Sequence, residues 1–535
     1  MGVMRMSAYH GVVYTKDWVV KLVLDIAGYT TDKPLWDKII VEPSCGNGSF
    51  LREIVYRLLE TAKRDSTLDY EHLTKCIRCF DLDANAVEMC KSLSKEALRE
   101  FDVPEDVSCQ IAEDWIHCTD YLLYDEIFAD FIVGNPPYLR STEIPPEARN
   151  KYVVKFSTMT KGCDIFVAFF QKGLESIRYS NGVLCYICAD RWMQNQYGRN
   201  LRSLISSHYH IDTLVRMHDV DAFEAEVSAY PAITRIDLGK GNIKYANCSS
   251  SFNSESVANL REWLFSGLKD YTGKDFSAAV LDHPRNDAVI PLADPQKVRC
   301  ITKLMKQFPA LEDSGVKIGI GLATGKDAVY IVDDPSVAEE DRMLPVFSMR
   351  DWRKCKNIPD KWLVNPWNKD GSLVSLTDYP RMKSYFESHR SDIASRHIAK
   401  KNTDQWYRTI DKINWSIMDT PMLLFPDMAM HADPVYSDGS RYPCHNCYWL
   451  ISDNWDIKVL GGLLMSDVAE SFVDAFGVKM RGGTKRFQAQ YLKLIHVPEP
   501  DSISSETATQ LKEAFESNDR KAASRAALLA YRLEE

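Results

Sequence analysis

Residues 38–63 constrain the fold more than any other stretch of the chain. Lys38 to Val41 has the apolar character of a short buried strand. Glu42-Pro43-Ser44-Cys45-Gly46-Asn47-Gly48-Ser49-Phe50 follows, and Leu51 to Lys63 then sets Leu51, Ile54, Val55, Leu58 and Leu59 at helical spacing. Strand, glycine-bearing loop and helix in that order is the layout of a nucleotide-type site at the carboxyl edge of a parallel sheet. Gly46 and Gly48 let the backbone come close to a ligand. The loop is not Gly-x-Gly-x-x-Gly, and no Gly-Lys-Ser/Thr follows it, which argues against dinucleotide and nucleoside-triphosphate sites.

Three further strand-like runs extend the pattern. Cys76 to Phe80 ends in Asp81-Leu82-Asp83, and an acid there can accept hydrogen bonds from both hydroxyls of a ribose. Val107 to Ala112 reads as a strand ending in Glu113-Asp114-Trp115, where a carboxylate could take an adenine amino hydrogen. Ala129 to Val133 runs into Gly134-Asn135-Pro136-Pro137-Tyr138. Two prolines fix φ and restrict the residue before each of them, so this turn is stiff. A stiff turn can aim the Asn135 amide oxygen and the Pro136 carbonyl at one point. Two acceptors converging there suit a planar NH₂ group that must become more nucleophilic, and Tyr138 adds a flat face for a base. One such acid alone would be read as a helix N-cap; several at consecutive strand ends, ahead of Asn-Pro-Pro-Tyr, point to a ligand.

On these residues the chain resembles the γ-class (TaqI-like) S-adenosylmethionine-dependent DNA adenine N6-methyltransferases of restriction–modification systems. The resemblance covers most of the chain and implies a doubly wound, mostly parallel α/β sheet, a class I methyltransferase (Rossmann-like) domain, with a C-terminal α+β target recognition domain. Tyr14-Thr15 resembles the N-terminal cofactor motif, with Lys16-Asp17 where the family often has prolines. Glu42, Pro43, Ser44, Gly46 and Gly48 resemble the loop around the methionine end of S-adenosyl-L-methionine; Asp81-Leu82 resembles its ribose site, and Asp114-Trp115 its adenine contact. Asn135, Pro136, Pro137 and Tyr138 resemble the catalytic loop, with Asn135 also beside the cofactor. Asp164-Ile165-Phe166 resembles the next cofactor motif, placing Phe166 near the adenine, and Gly182 to Trp192 the strand and turn after it. Phe223, within Asp221 to Val227, matches the aromatic that holds the flipped base against Tyr138.

Chain length and charge fit this resemblance. A chain of 535 residues with 45% hydrophobic residues can build two or three cored domains. The texture divides it at 1–240 (methyl-donor domain), 241–310 (connector or insertion), 311–500 (recognition domain, opening at Val316 to Gly321 and a strand over Ala328 to Val332) and 501–535 (a charged terminal helix). An amphipathic helix is expected over Val459 to Phe476, with Gly461 and Gly462 weakening its first turn. Arg481, Lys485 and Arg486, in a Gly-Gly segment near the end of the recognition domain, are candidate phosphate contacts. The net charge of −10 is unusual for a DNA-binding protein. Between Arg350 and Lys412, however, 14 Lys/Arg face 8 Asp/Glu, a local balance of +6, and seven of the twelve Trp lie after Arg350. A local field, not global charge, should then govern salt dependence.

No apolar run reaches transmembrane length, Met1 to His10 is no signal peptide, and fourteen scattered Cys suit a reducing compartment, which points to the cytoplasm and to no membrane partner. Cys76/Cys79 and Cys185/Cys188 fall within expected strands; Cys444-His445-Asn446-Cys447 has a loop setting but no second pair, so no metal is expected.

The expected partners are double-stranded DNA carrying a short specific site and a cognate restriction endonuclease, with the chain itself a monomer. Asn at the first motif position favours adenine over cytosine N4. A protein glutamine amide also presents a planar NH₂, but such a substrate needs no recognition domain of roughly 200 residues. Only eight residues precede Tyr9, too few for an N-terminal nuclease. A non-catalytic DNA-binding subunit would have no need of an intact Asn135 to Tyr138.

Overall fold

A computed structural model describes residues 13–533 apart from 67–68, 125–126, 180, 226–229, 285, 356–359 and 478–483. The chain forms two compact units, residues 1–298 and 299–535.

The first unit is built on one ten-stranded sheet. Its strands are β1 (Ile40–Glu42), β2 (Ile77–Asp81), β3 (Ile116–Cys118), β4 (Phe131–Gly134), β5 (Val183–Ala189), β6 (His210–Arg216), β7 (Pro231–Asp237), β8 (Ile243–Cys248), β9 (Asp270–Thr272) and β10 (Phe276–Leu281). They lie in the order β3-β2-β1-β4-β5-β7-β6-β8-β10-β9. The run from β3 to β5 is parallel throughout. β7 enters antiparallel between β5 and β6, and β8 returns parallel to β6. All seven residues of β5 are buried. Cys185 and Ile187 join the cluster with Val19, Val23, Ile54 and Leu58 from the helices Asp17–Ala27 and Ser49–Arg64. On the other face Tyr186 meets Phe170 of the helix Phe166–Ser176 edge to face, with ring centroids 5.2 Å apart. Burial on both faces is what turns these strands into continuous apolar runs.

Three expectations are corrected here. Residues 107–112 are not a strand: Glu105–Trp115 is a helix that buries Ser108, Ile111, Ala112 and Trp115. Its apolar residues repeat at three and four, a helical period that the short run concealed. Residues 241–310 are not a connector. Within them β8, β9 and β10 extend the main sheet, because β8 finds the open edge of β6 and pairs with it from Thr213↔Lys244 to Arg216↔Asn247. Cys76 ends the helix Tyr70–Cys76 and does not lie in β2.

The second unit holds two small four-stranded sheets. One orders Val316–Ile320, Cys447–Ser452, Met422–Pro426 and Val435–Ser437, all antiparallel. The other orders Ile331–Val332, Trp362–Val364, Met343–Phe347 and Tyr442–Pro443. The strand expected over Ala328 to Val332 is confined to its last two residues, since Asp327–Tyr330 is a helical turn. The helix expected over Val459 to Phe476 is two, Ile457–Leu464 and Asp467–Phe476, because the Ser466 hydroxyl accepts the Ala469 N–H and caps a new start. Gly461 and Gly462 have a packing role: a Cβ on Gly462 would lie 2.3 Å from the Leu511 carbonyl oxygen, so the helix Ser505–Glu516 approaches backbone to backbone. The terminal helix is likewise two, Ser505–Glu516 and Arg520–Ala530, separated at Asn518, whose φ of 54° is left-handed. Both belong to the second unit.

Candidate active site at the carboxyl edge of the sheet

The strand order reverses between β1 and β4, so the loops leaving these two strands are neighbours in space. One is the glycine loop and the other begins at Asn135. The Ser44 hydroxyl donates to the Asn135 carbonyl at 3.2 Å and ties them together. Gly46 and Gly48 take left-handed φ values of 50° and 78°, which only glycine adopts at low cost. The ring of Tyr14, 42% exposed, stands 3.4 Å from where a Gly46 Cβ would be. At the end of β2, Asp81 ties this loop to the sheet: Oδ2 accepts the Gly46 N–H and Oδ1 the Asp83 N–H, both at 2.9 Å. Asp83 instead caps the helix Ala84–Glu100 through the Asn85 N–H, which separates the roles of the two acids. Leu82 is exposed beside them. Glu42 is buried; burial, with Cys90 and Asp81 nearby, pushes its carboxyl well above the usual carboxylate range.

The Asn135 side chain is held through one end only. Its Nδ2 donates to the Val13 carbonyl at 2.9 Å and to the Thr15 hydroxyl at 3.2 Å. A carbonyl can only accept, so the amide nitrogen must face Val13 and the amide oxygen must face away. That oxygen is buried and has no hydrogen-bond partner among the described residues. Pro136 is buried and Pro137 half-buried. Tyr138 is half-buried with its hydroxyl enclosed and unpartnered, and burial pushes that hydroxyl well above its ordinary pKa.

Thr15 and Phe223 form an antiparallel bridge, fastened by Lys16 N–H to the Ala222 carbonyl (3.1 Å) and Glu224 N–H to the Tyr14 carbonyl (3.0 Å). Lys16 adds a largely exposed ion pair with Asp221 at 2.5 Å. The bridge brings residues some 200 positions apart to Asn135 and sets Phe223 against Tyr138. The two rings meet edge to face, with centroids 6.3 Å apart and planes at 80°, and not as a parallel sandwich. Residues 226 and 227 of that segment lie outside the described residues.

Comparison with known proteins shows the family. A family model described as Eco57I restriction-modification methylase matches residues 55–223. The Type II methyltransferase M.BstVI of Geobacillus stearothermophilus is 36% identical over 520 residues, covering 94% of this chain and 92% of the relative. M.PaeR7I of Pseudomonas aeruginosa is also 36% identical, over 535 residues, covering 98% of this chain and 92% of its own length. This chain is a member of the Type II methyltransferase family of restriction–modification systems. A solved structure of the Type IIL restriction-modification enzyme MmeI in complex with DNA superposes with a TM-score of 0.56 at 13% identity, over 97% of this chain and 74% of that one, and shows a shared fold. The family model spans Asp81, Asn135 and Phe223; the glycine loop precedes it.

Within this methyltransferase, two sequence expectations take different places. Asp114 sits on a helix and accepts from the Gln110 side chain at 3.1 Å, away from any strand end. Trp115 is fully buried with its indole N–H on the Leu73 carbonyl at 2.7 Å, a core residue. The carboxylate that does stand beyond β3 is Asp120, missed because the strand was set nine residues too early. Its Oδ1 accepts the Leu122 N–H at 2.9 Å and its Oδ2 the Tyr152 hydroxyl at 2.7 Å. Phe166 is fully buried at the start of its helix, its ring 6.5 Å from Tyr197, whose hydroxyl donates to Asp164 at 2.7 Å. Burial raises the Asp164 carboxyl, with Tyr197, Arg191 and Arg140 opposing.

In the second unit, Lys485 is ion-paired within the fold. Its ammonium is enclosed between Glu470 and Asp474, the latter at 2.9 Å. Arg486 lies 4.0 Å from Asp427 and is half-buried, and Arg481 lies outside the described residues. Part of the basic stretch 350–412 is also internal. Arg396 donates to the carbonyls of Thr324, Trp406 and Arg408 and to the Tyr330 hydroxyl, while Arg408 and Lys412 lie over Trp367. Cys444 and Cys447 are buried in the core of this unit.

Proposed function

We propose that this chain is a site-specific DNA methyltransferase that transfers the methyl group of S-adenosyl-L-methionine to N6 of an adenine extruded from the duplex, as the modification enzyme of a restriction–modification system. The observation that carries the reading is the Asn135 amide, clamped through its nitrogen so that a buried oxygen is left as a free acceptor. Adenine N6 is conjugated with its ring and nucleophilic only when its lone pair leaves that conjugation. Asn135 Oδ1 and the Pro136 carbonyl accept the two amino hydrogens and favour that change. Tyr138 supplies a ring face for the extruded base, and base–aromatic stacking contributes about 1–3 kcal/mol. Phe223 closes the other side and turns from its edge-on contact to admit the base. Extrusion itself costs a few kcal/mol.

The carboxyl edge fits the cofactor. Asp81 stands at the ribose position with its side chain already ordered by two backbone N–H groups, and the left-handed glycines let the loop run close to Tyr14, Cys90 and Leu93. Asp120, in place of Asp114, is the acid for the cofactor adenine. When bound, the cofactor supplies an electrophilic methyl on a sulfonium, so Asn135 and Pro136 need only activate and hold the nucleophile. Double-stranded DNA with a short site and a cognate endonuclease are the partners of this reading, in the cytoplasm, and the chain acts as a monomer.

The test is modification-sensitive sequencing of a plasmid from cells expressing the chain, beside an Asn135→Ala control. N6-methyladenine at one short motif, absent from the control, is the expected result. A mark at cytosine N4 would replace the base assignment, and no mark at all would overturn the reading.

A further inference from the structure

The segment directly after the catalytic loop has a chemistry that the site above does not use. Residues 139–162 carry five cations (Arg140, Arg149, Lys151, Lys155 and Lys161) against two acids (Glu143 and Glu147), in a chain whose net charge is −10. The segment is anchored at three points. The Tyr152 hydroxyl donates to Asp120 beyond β3 at 2.7 Å. Ile165 N–H donates to the Leu139 carbonyl beside the β4 loop at 2.8 Å. The Thr160 hydroxyl donates to the Tyr197 carbonyl beyond β5 at 3.3 Å. Its helix, Pro146–Lys155, buries only Tyr152. Asn150, Lys151, Val154 and Lys155 are all exposed, with Asn150 and Val154 opposite Tyr152, Lys151 on the flank and Lys155 one turn beyond Tyr152 on its own side. Val154 is 90% exposed, a β-branched residue that adds nothing to the core and favours a helix less than Ala or Lys would. Lys151 pairs with Glu147 at 3.3 Å in a solvent-exposed i,i+4 contact, worth little. Among the described residues Lys155 and Lys161 have no carboxylate partner. A core-facing helix needs none of this; a polyanion lying along the edge does.

We propose that residues 140–161 form a phosphate-binding surface for the DNA backbone flanking the extruded base, held in register with the cofactor edge by Tyr152 on Asp120. The inference rests on the DNA reading above and adds to it a binding site. Lys151, Lys155 and Lys161 neutralise phosphates, and Val154 lies against the sugars between them. Position follows from continuity: Arg140 is two residues beyond Tyr138, so a base stacked on Tyr138 leaves its own backbone at the start of this surface.

The test is the salt dependence of duplex binding from 50 to 300 mM NaCl by fluorescence anisotropy, using the full chain and a labelled duplex. Each phosphate contact contributes about 0.9 to the slope of log K against log salt, so K151A/K155A/K161A should be less steep than wild type by about 2.7. K151R/K155R/K161R should keep the wild-type slope, and Lys75→Ala, an exposed lysine on the helix Tyr70–Cys76, should leave it unchanged. Equal binding of S-adenosyl-L-methionine by the triple alanine variant checks its fold. A wild-type slope in that variant overturns the surface while leaving the methylation reading intact. No salt-dependent binding by wild type removes both.

Discussion

In the first unit, the groups proposed for the site are each oriented by a few hydrogen bonds. Asn135 is clamped through Nδ2 and open at Oδ1, and Asp81 is ordered by two backbone N–H groups at a strand end. In the second unit, several of the groups that looked available are satisfied internally. Lys485 is closed off by Glu470 and Asp474, and Arg396 has carbonyls and a tyrosine hydroxyl around its guanidinium. The difference has a topological origin. A parallel sheet delivers its strand ends to one edge, where no neighbouring strand consumes their polar atoms. Small antiparallel sheets with long connections must cross-brace those connections, and Arg and Lys stacked on Trp do so here.

The sharpest break of that comparison is Asn135→Ala. Methyl incorporation into DNA should fall at least about 100-fold, as for loss of a preorganised polar group, while calorimetric binding of S-adenosyl-L-methionine stays near wild type. Retained turnover would remove Asn135 from the mechanism. Lys485→Ala should act in the opposite manner. By leaving the buried carboxylates of Glu470 and Asp474 without their ammonium it should destabilise the second unit by about 3 kcal/mol and leave the salt slope of DNA binding unchanged. A shallower slope without loss of stability would restore Lys485 as a phosphate contact. Asp81→Ala should weaken cofactor binding by about 10–100-fold, the worth of hydrogen bonds to a charged group, and normal affinity would move the ribose contact elsewhere.

An effect of similar size concerns pH. Asp190, just beyond β5, is pushed up to about 6 by burial, with Arg216 and Arg191 opposing. Its folded value lies above its unfolded one, so the folded chain keeps a proton that the unfolded chain has lost. Stability should therefore fall by about 2–3 kcal/mol as pH rises from 4 to 6.5 and level off above it. Glu470 in the second unit has the reverse sign: burial raises its carboxyl, but Lys485, the Ala432 N–H and Arg520 hold it below the ordinary value. Its contribution is present above the unfolded pKa and is lost on acidification. Denaturant midpoints across that range should lose their first slope in Asp190→Asn. A slope that survives would assign it to other groups.

Much of the first unit was legible because its signals are local. The loop Glu42 to Gly48, Asp81 and Asn135 to Tyr138 each follow an apolar run short enough to be a strand, and each is found at the carboxyl edge. The third acid was misplaced because Val107, Ile111 and Trp115 look strand-like in a short window yet repeat at four, which tertiary burial resolves into a helix. The polar, mixed composition of 241–310 hid three strands, which are defined by pairing with β6 and with one another.

Sequence alone determined the kind of chemistry available: prolines that stiffen a turn, an amide beside an aromatic ring, glycines where a left-handed backbone is required. Those are properties of residues and their immediate neighbours. Only the tertiary structure decided which groups remain free. Whether Asn135 offers its oxygen depends on Val13 and Thr15, more than a hundred residues away, and whether Lys485 meets phosphate depends on Glu470 and Asp474. A polar atom is available only after every neighbour in the fold has been counted, and that count is set by packing.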